Sequence, residues 1–356
     1  MVKNILITGG AGFVGSNLAI FLKDNNPKLN IICFDNLKRR GSELNLKRLK
    51  KEGINFIHGD IRNEHDFDEI NEFDLMIECS AEPSVMSGIN SSPKYLLDTN
   101  LVGTINCLEL ARKRNSKIIF LSTSRVYSIE KINSLNFIET ETRFEFEETQ
   151  KIAGVSFKGI SERFALDGYR SLYGASKLAS ELIMEEYNKI FGLKTIINRC
   201  GVIAGPWQMG KTDQGIIPFW LASHILKKEI SYIGYGGKGK QVRDFIHIDD
   251  LCELILYQID NFEKFNGKLF NVGGGKENSF SLQELTKTCQ KITGNVINID
   301  SINEERPMDI KWFITDISKI RSFIPDWCPK KKLDETVKEI YDWLKENRNV
   351  LSNIFR

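Results

Sequence analysis

The stretch NILITGGAGFVGSNLA, residues 4–19, runs from an apolar segment into an amphipathic one through a turn that holds Gly9, Gly12 and Gly15. Glycine suits this turn for three reasons: the chain must bend sharply, its backbone must approach a pyrophosphate closely, and the following helix must pack against the strand. The N-terminus of that helix presents unpaired N–H groups and the positive end of the helix dipole, and both favour an anion. Twenty residues past Gly15, Asp35 ends the apolar run IICFD. A carboxylate there can accept hydrogen bonds from the hydroxyls of an adenosine ribose and repels a 2′-phosphate. The stretch therefore predicts the first strand, phosphate turn and helix of a dinucleotide-binding domain, with NAD favoured over NADP. Lys38, Arg39 and Arg40 keep NADP as the alternative, because arginines beside the ribose can hold a 2′-phosphate. The plain structural alternative is a glycine turn that binds nothing.

Outward from this turn, short apolar runs alternate with longer amphipathic ones. NILIT, NIICFDN, INFIHGD, DLMIECS, KIIFLST and KTIINRC read as strands buried on both faces of a parallel sheet. SNLAIFLKDNN, SPKYLLDTNLVGTINCLELARKR and YGASKLASELIMEEYNKIF carry helical spacing. The pattern predicts an α/β fold, a doubly wound parallel sheet of Rossmann type. Past residue 201 the alternation weakens into glycine-rich and charged connections around helices expected near 281–292 and 332–347. We read residues 1–200 and 242–273 as the dinucleotide-binding domain, and 201–241 with 274–356 as a smaller C-terminal substrate domain. The stretch 128–170 lacks periodicity, and a loop of that length is usually functional or disordered.

Composition bounds the partners. Across 356 residues the formal charge is +2, and no basic block interleaved with aromatics appears, which argues against nucleic acid. No apolar run reaches membrane-spanning length, and the N-terminus reads directly into a strand, so a cytoplasmic location is expected. The seven cysteines are scattered without CxxC pairs, which fits reduced thiols, and the four histidines are equally dispersed, so no metal is expected.

A tyrosine with a lysine four places on is a candidate proton-transfer pair, and three occur: Tyr127 with Lys131, Tyr173 with Lys177, and Tyr341 with Lys345. Tyr341 lies in an amphipathic C-terminal segment where such neighbours are ordinary. Tyr127 follows the strand KIIFLST and reads as a packed or site-lining ring. Tyr173 opens a long helix, which puts the Lys177 ammonium on the face of the phenol. A neighbouring positive charge stabilises a phenolate, so Tyr173 can act as a base near neutral pH, and the strand ending in FLST supplies a hydroxyl to orient a substrate alcohol.

The motifs TGGAGFVG, FDN, HGDIRN, STSRVY, YGASK and KQVRDFIHIDD, in this order, resemble the extended short-chain dehydrogenase/reductase family of nucleotide-sugar epimerases and dehydratases, across nearly the whole chain. The resemblance implies that Thr123, Tyr173 and Lys177 are catalytic. It implies that Gly9, Gly12, Phe13, Val14, Gly15, Asp35, Asn36, Asp60, Ile61, Ala81 and Asn100 hold the cofactor together with Tyr173 and Lys177. It further implies that Gln214, Arg243 and Arg306, with Thr123, meet the substrate, the arginines at its diphosphate, a role that suits guanidinium forks. For each arginine a surface ion pair is the structural alternative.

Family dehydratases follow the catalytic threonine with an Asp-Glu pair, and family decarboxylases carry a glutamate two positions after it. Here Ser124 and Arg125 stand there, which disfavours elimination and decarboxylation. FIETETRF (137–144), MGKTDQG (209–215), GKGKQVRDFIHIDD and NSFSLQEL are similar to CDP-tyvelose, or CDP-paratose, 2-epimerases. The resemblance implies NAD-dependent inversion at C2 of a CDP-deoxyhexose, with a homo-oligomer formed by helices near 91–114 and 173–191. A UDP-sugar 4-epimerase is the alternative enzyme. A dinucleotide-sensing regulator on the same fold is the alternative of another class.

Overall fold

The computed structural model of the protein describes residues 2–89, 91–210 and 214–355, the last turn of 352–354 by its backbone alone. It divides into two compact units, each assembled from three pieces of chain.

The first unit comprises Met1–Thr123, Leu172–Arg199 and Leu251–Phe270. Its sheet contains β1 (Asn4–Thr8), β2 (Asn30–Asp35), β3 (Asn55–His58), β4 (Leu75–Glu78), β5 (Lys117–Thr123), β6 (Thr195–Cys200) and β7 (Lys268–Val272), the last two strands ending just past the boundary. The strand order is β7-β6-β5-β4-β1-β2-β3, and the strands β1 to β5 run parallel. Leu6, Ile32, Met76, Ile118 and Ile197 from these strands are buried in one core with Cys107, Leu108 and Met184 from the helices, as continuous apolar runs require. Helix α1 (Phe13–Asn25) follows β1, α2 (Gly103–Lys113) precedes β5, and α3 (Leu172–Phe191) precedes β6. Strand order reverses at β1, which pairs with β2 on one side and β4 on the other. Ligands of such sheets bind beyond the carboxyl ends of the strands at this switch point.

The second unit comprises Ser124–Ser171, Cys200–Asp250 and Asn271–Arg356. Helices Ile216–Leu226, Leu282–Thr293 and Leu333–Glu346 share a core that includes Trp220, Leu221, Phe245, Leu285, Ile340 and Trp343. The stretch 128–170, expected as one irregular loop, is built into this unit. It forms a helix at Ile129–Asn133 and two short hairpins, Phe137–Glu139 with Phe144–Phe146 and Val155–Ser156 with Gly159–Ile160. Phe146 stacks on Trp312 with ring centroids 5.8 Å apart. Arg143 bonds Glu284 through Nε at 2.8 Å and Ser279 Oγ at 2.9 Å. The division by packing differs from the expected boundaries, because 124–171, 200, 242–250 and 271–273 fall with the second unit. No described helix is long and apolar enough to cross a membrane, and the seven cysteines are free thiols.

Candidate active site

At Gly9 and Gly15 the turn after β1 admits nothing larger than glycine. Gly9 has φ of +64°, and a Cβ there would lie 2.8 Å from the carbonyl carbon of Cys79, just past β4. A Cβ on Gly15 would lie 2.3 Å from the carbonyl oxygen of Gly9, so α1 meets the turn backbone against backbone. Gly12 caps α1 without a side-chain hydrogen bond, and Phe13 and Val14 form the first helical residues. This cradle fits a pyrophosphate: no side chain fills it, and the helix end offers N–H groups to an anion.

Asp35 is tied to that cradle. Its Oδ2 accepts the N–H of Ala11 at 3.1 Å and its Oδ1 that of Leu37 at 2.8 Å. Burial pushes the carboxyl above its ordinary range, and these backbone bonds oppose the shift. Asn36 donates to Asp60 Oδ2 at 2.9 Å. Burial would raise Asp60 as well, but hydrogen bonds from Arg62 prevail and hold it down at about 2. Ile61 is buried against the start of α2, where a Cβ on Gly103 would lie 2.5 Å from Ile61 Cδ1. Asp35, Asn36, Asp60 and Ile61 therefore gather at the carboxyl ends of β2 and β3.

Asn100 is fully buried in a π-helical turn, Asp98–Val102, that runs into α2. Its Oδ1 accepts the N–H of Glu82 at 2.8 Å, and its Nδ2 donates to Glu82 O at 3.0 Å and to Ser176 Oγ at 3.3 Å. It thereby fastens the loop after β4, which carries Ala81, to α3. Such single π turns are frequent at functional sites.

Thr123 ends β5 and is buried, and Tyr173 stands half-buried in the first turn of α3. One turn on, Lys177 is only 1% exposed, with its ammonium 3.8 Å from the centroid of the Phe120 ring. Another turn on, Glu181 Oε2 accepts a hydrogen bond from Arg199 Nη2 at 2.6 Å and Oε1 one from Ser122 Oγ, all three residues buried. Tyr173, Lys177 and Glu181 are spaced to share one helix face, and the buried pair with Arg199 fixes that face on the sheet. The other two tyrosines are packed differently. Tyr127 is 1% exposed and donates to Asn271 Oδ1 at 2.7 Å. The Tyr341 ring lies under its own Lys345, 4.5 Å from the ammonium.

In the second unit, Arg243 directs its guanidinium to Asp309 Oδ1 at 2.8 Å, Ile310 O at 2.6 Å and Val242 O at 2.7 Å. Arg306 and Gln214 are half-buried there, and residues 211–213 of the motif MGKTDQG lie outside the described residues. His247, Asp249 and Glu339 converge: the His247 Nδ1 accepts the N–H of Asp249 at 3.2 Å, and its Nε2 lies 3.1 Å from a Glu339 carboxylate oxygen without forming a hydrogen bond.

Three residues near the site were not anticipated. Tyr95 receives the Arg62 guanidinium 4.6 Å and the Lys38 ammonium 5.5 Å from its ring centroid, and no local pattern marks it. Ser176 bonds Asn100. Glu78, fully buried at the end of β4, was legible as a lone charge inside the apolar run LMIEC.

The chain is similar to known proteins along nearly its whole length. The NAD dependent epimerase/dehydratase family matches residues 5–273. The chain is 35% identical to CDP-paratose 2-epimerase of Salmonella typhi over 350 residues, covering 95% of this chain and 98% of that one. It is 28% identical to a putative UDP-glucose 4-epimerase of Methanocaldococcus jannaschii over 347 residues, 96% and 99% of the two chains. The dTDP-glucose 4,6-dehydratase of Bacillus anthracis, solved in complex with NAD, superposes with a TM-score of 0.76 at 25% identity, over 99% of both chains. A glycine cradle, a buried acid at the end of β2 and near end-to-end likeness to such proteins lead to one conclusion: this chain is an NAD-dependent enzyme and belongs to the NAD dependent epimerase/dehydratase family.

Proposed function

We propose that the enzyme inverts one carbinol centre of a nucleotide-linked sugar by oxidising it and reducing it from the opposite face, and that this centre is C2 of a CDP-deoxyhexose, as between CDP-paratose and CDP-tyvelose. The observation that carries the reading is the likeness to CDP-paratose 2-epimerase along almost all of both chains. Ser124 and Arg125 after Thr123 support it, since neither supplies the carboxyl chemistry of an elimination. When bound, NAD supplies the acceptor and donor for the hydrogen at that carbon. Gly9, Gly12, Phe13, Val14 and Gly15 would hold its pyrophosphate, Asp35 and Asn36 its ribose, and Asp60 and Ile61 its adenine, with Ala81 and Asn100 along its length.

In this reading Tyr173 takes the proton from the sugar hydroxyl and later returns it, while Thr123 orients that hydroxyl. The Lys177 ammonium stabilises the phenolate that takes this proton and that forms again once the proton is returned. Gln214, Arg243 and Arg306 hold the nucleotide half of the substrate. For Arg243 this means that phosphate oxygens compete with Asp309 for its donors. The enzyme acts as a cytoplasmic homo-oligomer.

Incubation with CDP-paratose deuterated at C2 tests the proposal. The product should be the C2 epimer with its label retained, and unlabelled substrate in heavy water should acquire no deuterium at C2. Label from solvent at the inverted carbon would refute the oxidation route. The likeness to the putative UDP-glucose 4-epimerase favours a second reading, a UDP-sugar 4-epimerase. Inversion at C4 of a UDP-sugar, with CDP-paratose unchanged, would select it.

A further inference from the structure

Glu78 ends β4 with no exposure to solvent, between Thr8 of β1 and Phe120 of β5 in the sheet register. Its Oε1 accepts the hydroxyl of Thr104 from α2 at 2.8 Å, while Oε2 has no hydrogen-bond partner. A carboxylate held dry with an open oxygen is costly unless a charge answers it. The Phe120 ring beside it in the sheet carries the Lys177 ammonium on its face. That ammonium is itself excluded from water, so its charge too must be answered within the fold.

We propose that Glu78 is the buried counter-charge of Lys177, a positioning residue that keeps the ammonium protonated and fixed beside Tyr173. The inference rests on the reading of Tyr173 and Lys177 as the proton-transfer pair. The groups facing Glu78 are Thr8 from β1, Phe120 from β5, Thr104 and Cys107 from α2, and Lys177 from α3. Burial pushes the Cys107 thiol well up, so it stays neutral, and Lys177 is the one cation acting on Glu78 among these groups. Burial raises the Glu78 carboxyl and the Lys177 charge opposes that rise, as expected of a pair that shares a dry site. With Glu78 ionised, the positive charge beside the phenol no longer depends on solvent. It then persists when a substrate excludes water from the site.

Two measurements test this. In kcat/KM against pH, Glu78→Gln, which keeps the shape and the bond to Thr104, should move the alkaline limb to lower pH by about one unit, and Glu78→Asp should restore most of it. In urea unfolding, Glu78→Gln and Lys177→Met should each destabilise. Their double variant should fold at least about tenfold more favourably than the two single effects combined would allow. An unmoved alkaline limb in Glu78→Gln, or effects that simply add, overturns the proposal. If Glu78→Gln alone does not fold, the double variant should, and its failure to fold overturns the proposal equally. Full turnover by Lys177→Met would refute the Tyr173–Lys177 reading instead, and the unfolding cycle would still report on the charge pair.

Discussion

Tyr127, Tyr173 and Tyr341 share a spacing with lysine, and their surroundings tell them apart. Tyr173→Phe removes the proposed base and should lower turnover about a hundredfold or more. Tyr127→Phe leaves Asn271 Oδ1 without its donor and should cost roughly 1 to 2 kcal/mol of stability while turnover changes little. Tyr341→Phe should change neither. Steady-state rates and urea midpoints for the three variants check this, and a dead Tyr127→Phe beside an active Tyr173→Phe would identify the wrong pair. Asp35 was legible from its distance to Gly15, and the structure adds its bond to Ala11. Asp35→Ala should therefore weaken NAD on the order of tenfold by calorimetry and leave NADP nearly unchanged. A variant that discriminates more strongly in favour of NAD would contradict the ribose role.

At the scale of elements, the sheet was readable because a strand buried on both faces must be apolar throughout. The runs ending in Thr8, Asp35, Glu78 and Thr123 are such strands, and the carboxyl ends that carry the site follow from them. The hairpins of 137–160 were not readable. Strands of two or three residues show no period, and what holds them, Phe146 on Trp312 and Arg143 on Glu284, joins positions more than a hundred residues apart. Asp244, next to Arg243, shows how a strand can store a pH response. It is buried, with Oδ1 accepting the Thr315 hydroxyl at 3.1 Å and Oδ2 the N–H of Gly275 at 3.1 Å. Burial still pushes its carboxyl up to about 6, against those bonds. The folded state thus binds this proton more tightly than the unfolded chain does. The stability it confers is complete below about pH 4 and is lost as pH rises through about 6, on the order of 2 to 3 kcal/mol in all. Asp244→Asn should remove this component. Urea titrations at about pH 4 and pH 7 should show the wild type losing more stability than the variant across that interval, and parallel losses would exclude Asp244 as the source.

At the scale of the whole molecule, α3 leaves Leu182, Ile190 and Phe191 more than half exposed, at 57%, 65% and 54%. Residues eight apart share a helix face, and such a face fits the proposed association of copies through α2 and α3. Sedimentation should find a dimer or larger assembly, and Leu182→Asp with Ile190→Asp should shift it toward monomer; a wild type that sediments as a monomer would refute the association. The division of the chain has a consequence for its synthesis. The first unit draws on Met1–Thr123, Leu172–Arg199 and Leu251–Phe270, with the pieces of the second unit made in between. When β5 has left the ribosome, its neighbour β6 is still about 70 residues away, roughly 4 to 14 seconds of translation. For that interval β5, which carries Thr123 at its end, is an unpaired apolar edge on a half-built sheet. That edge is the segment of the nascent chain most open to aggregation and to capture by chaperones.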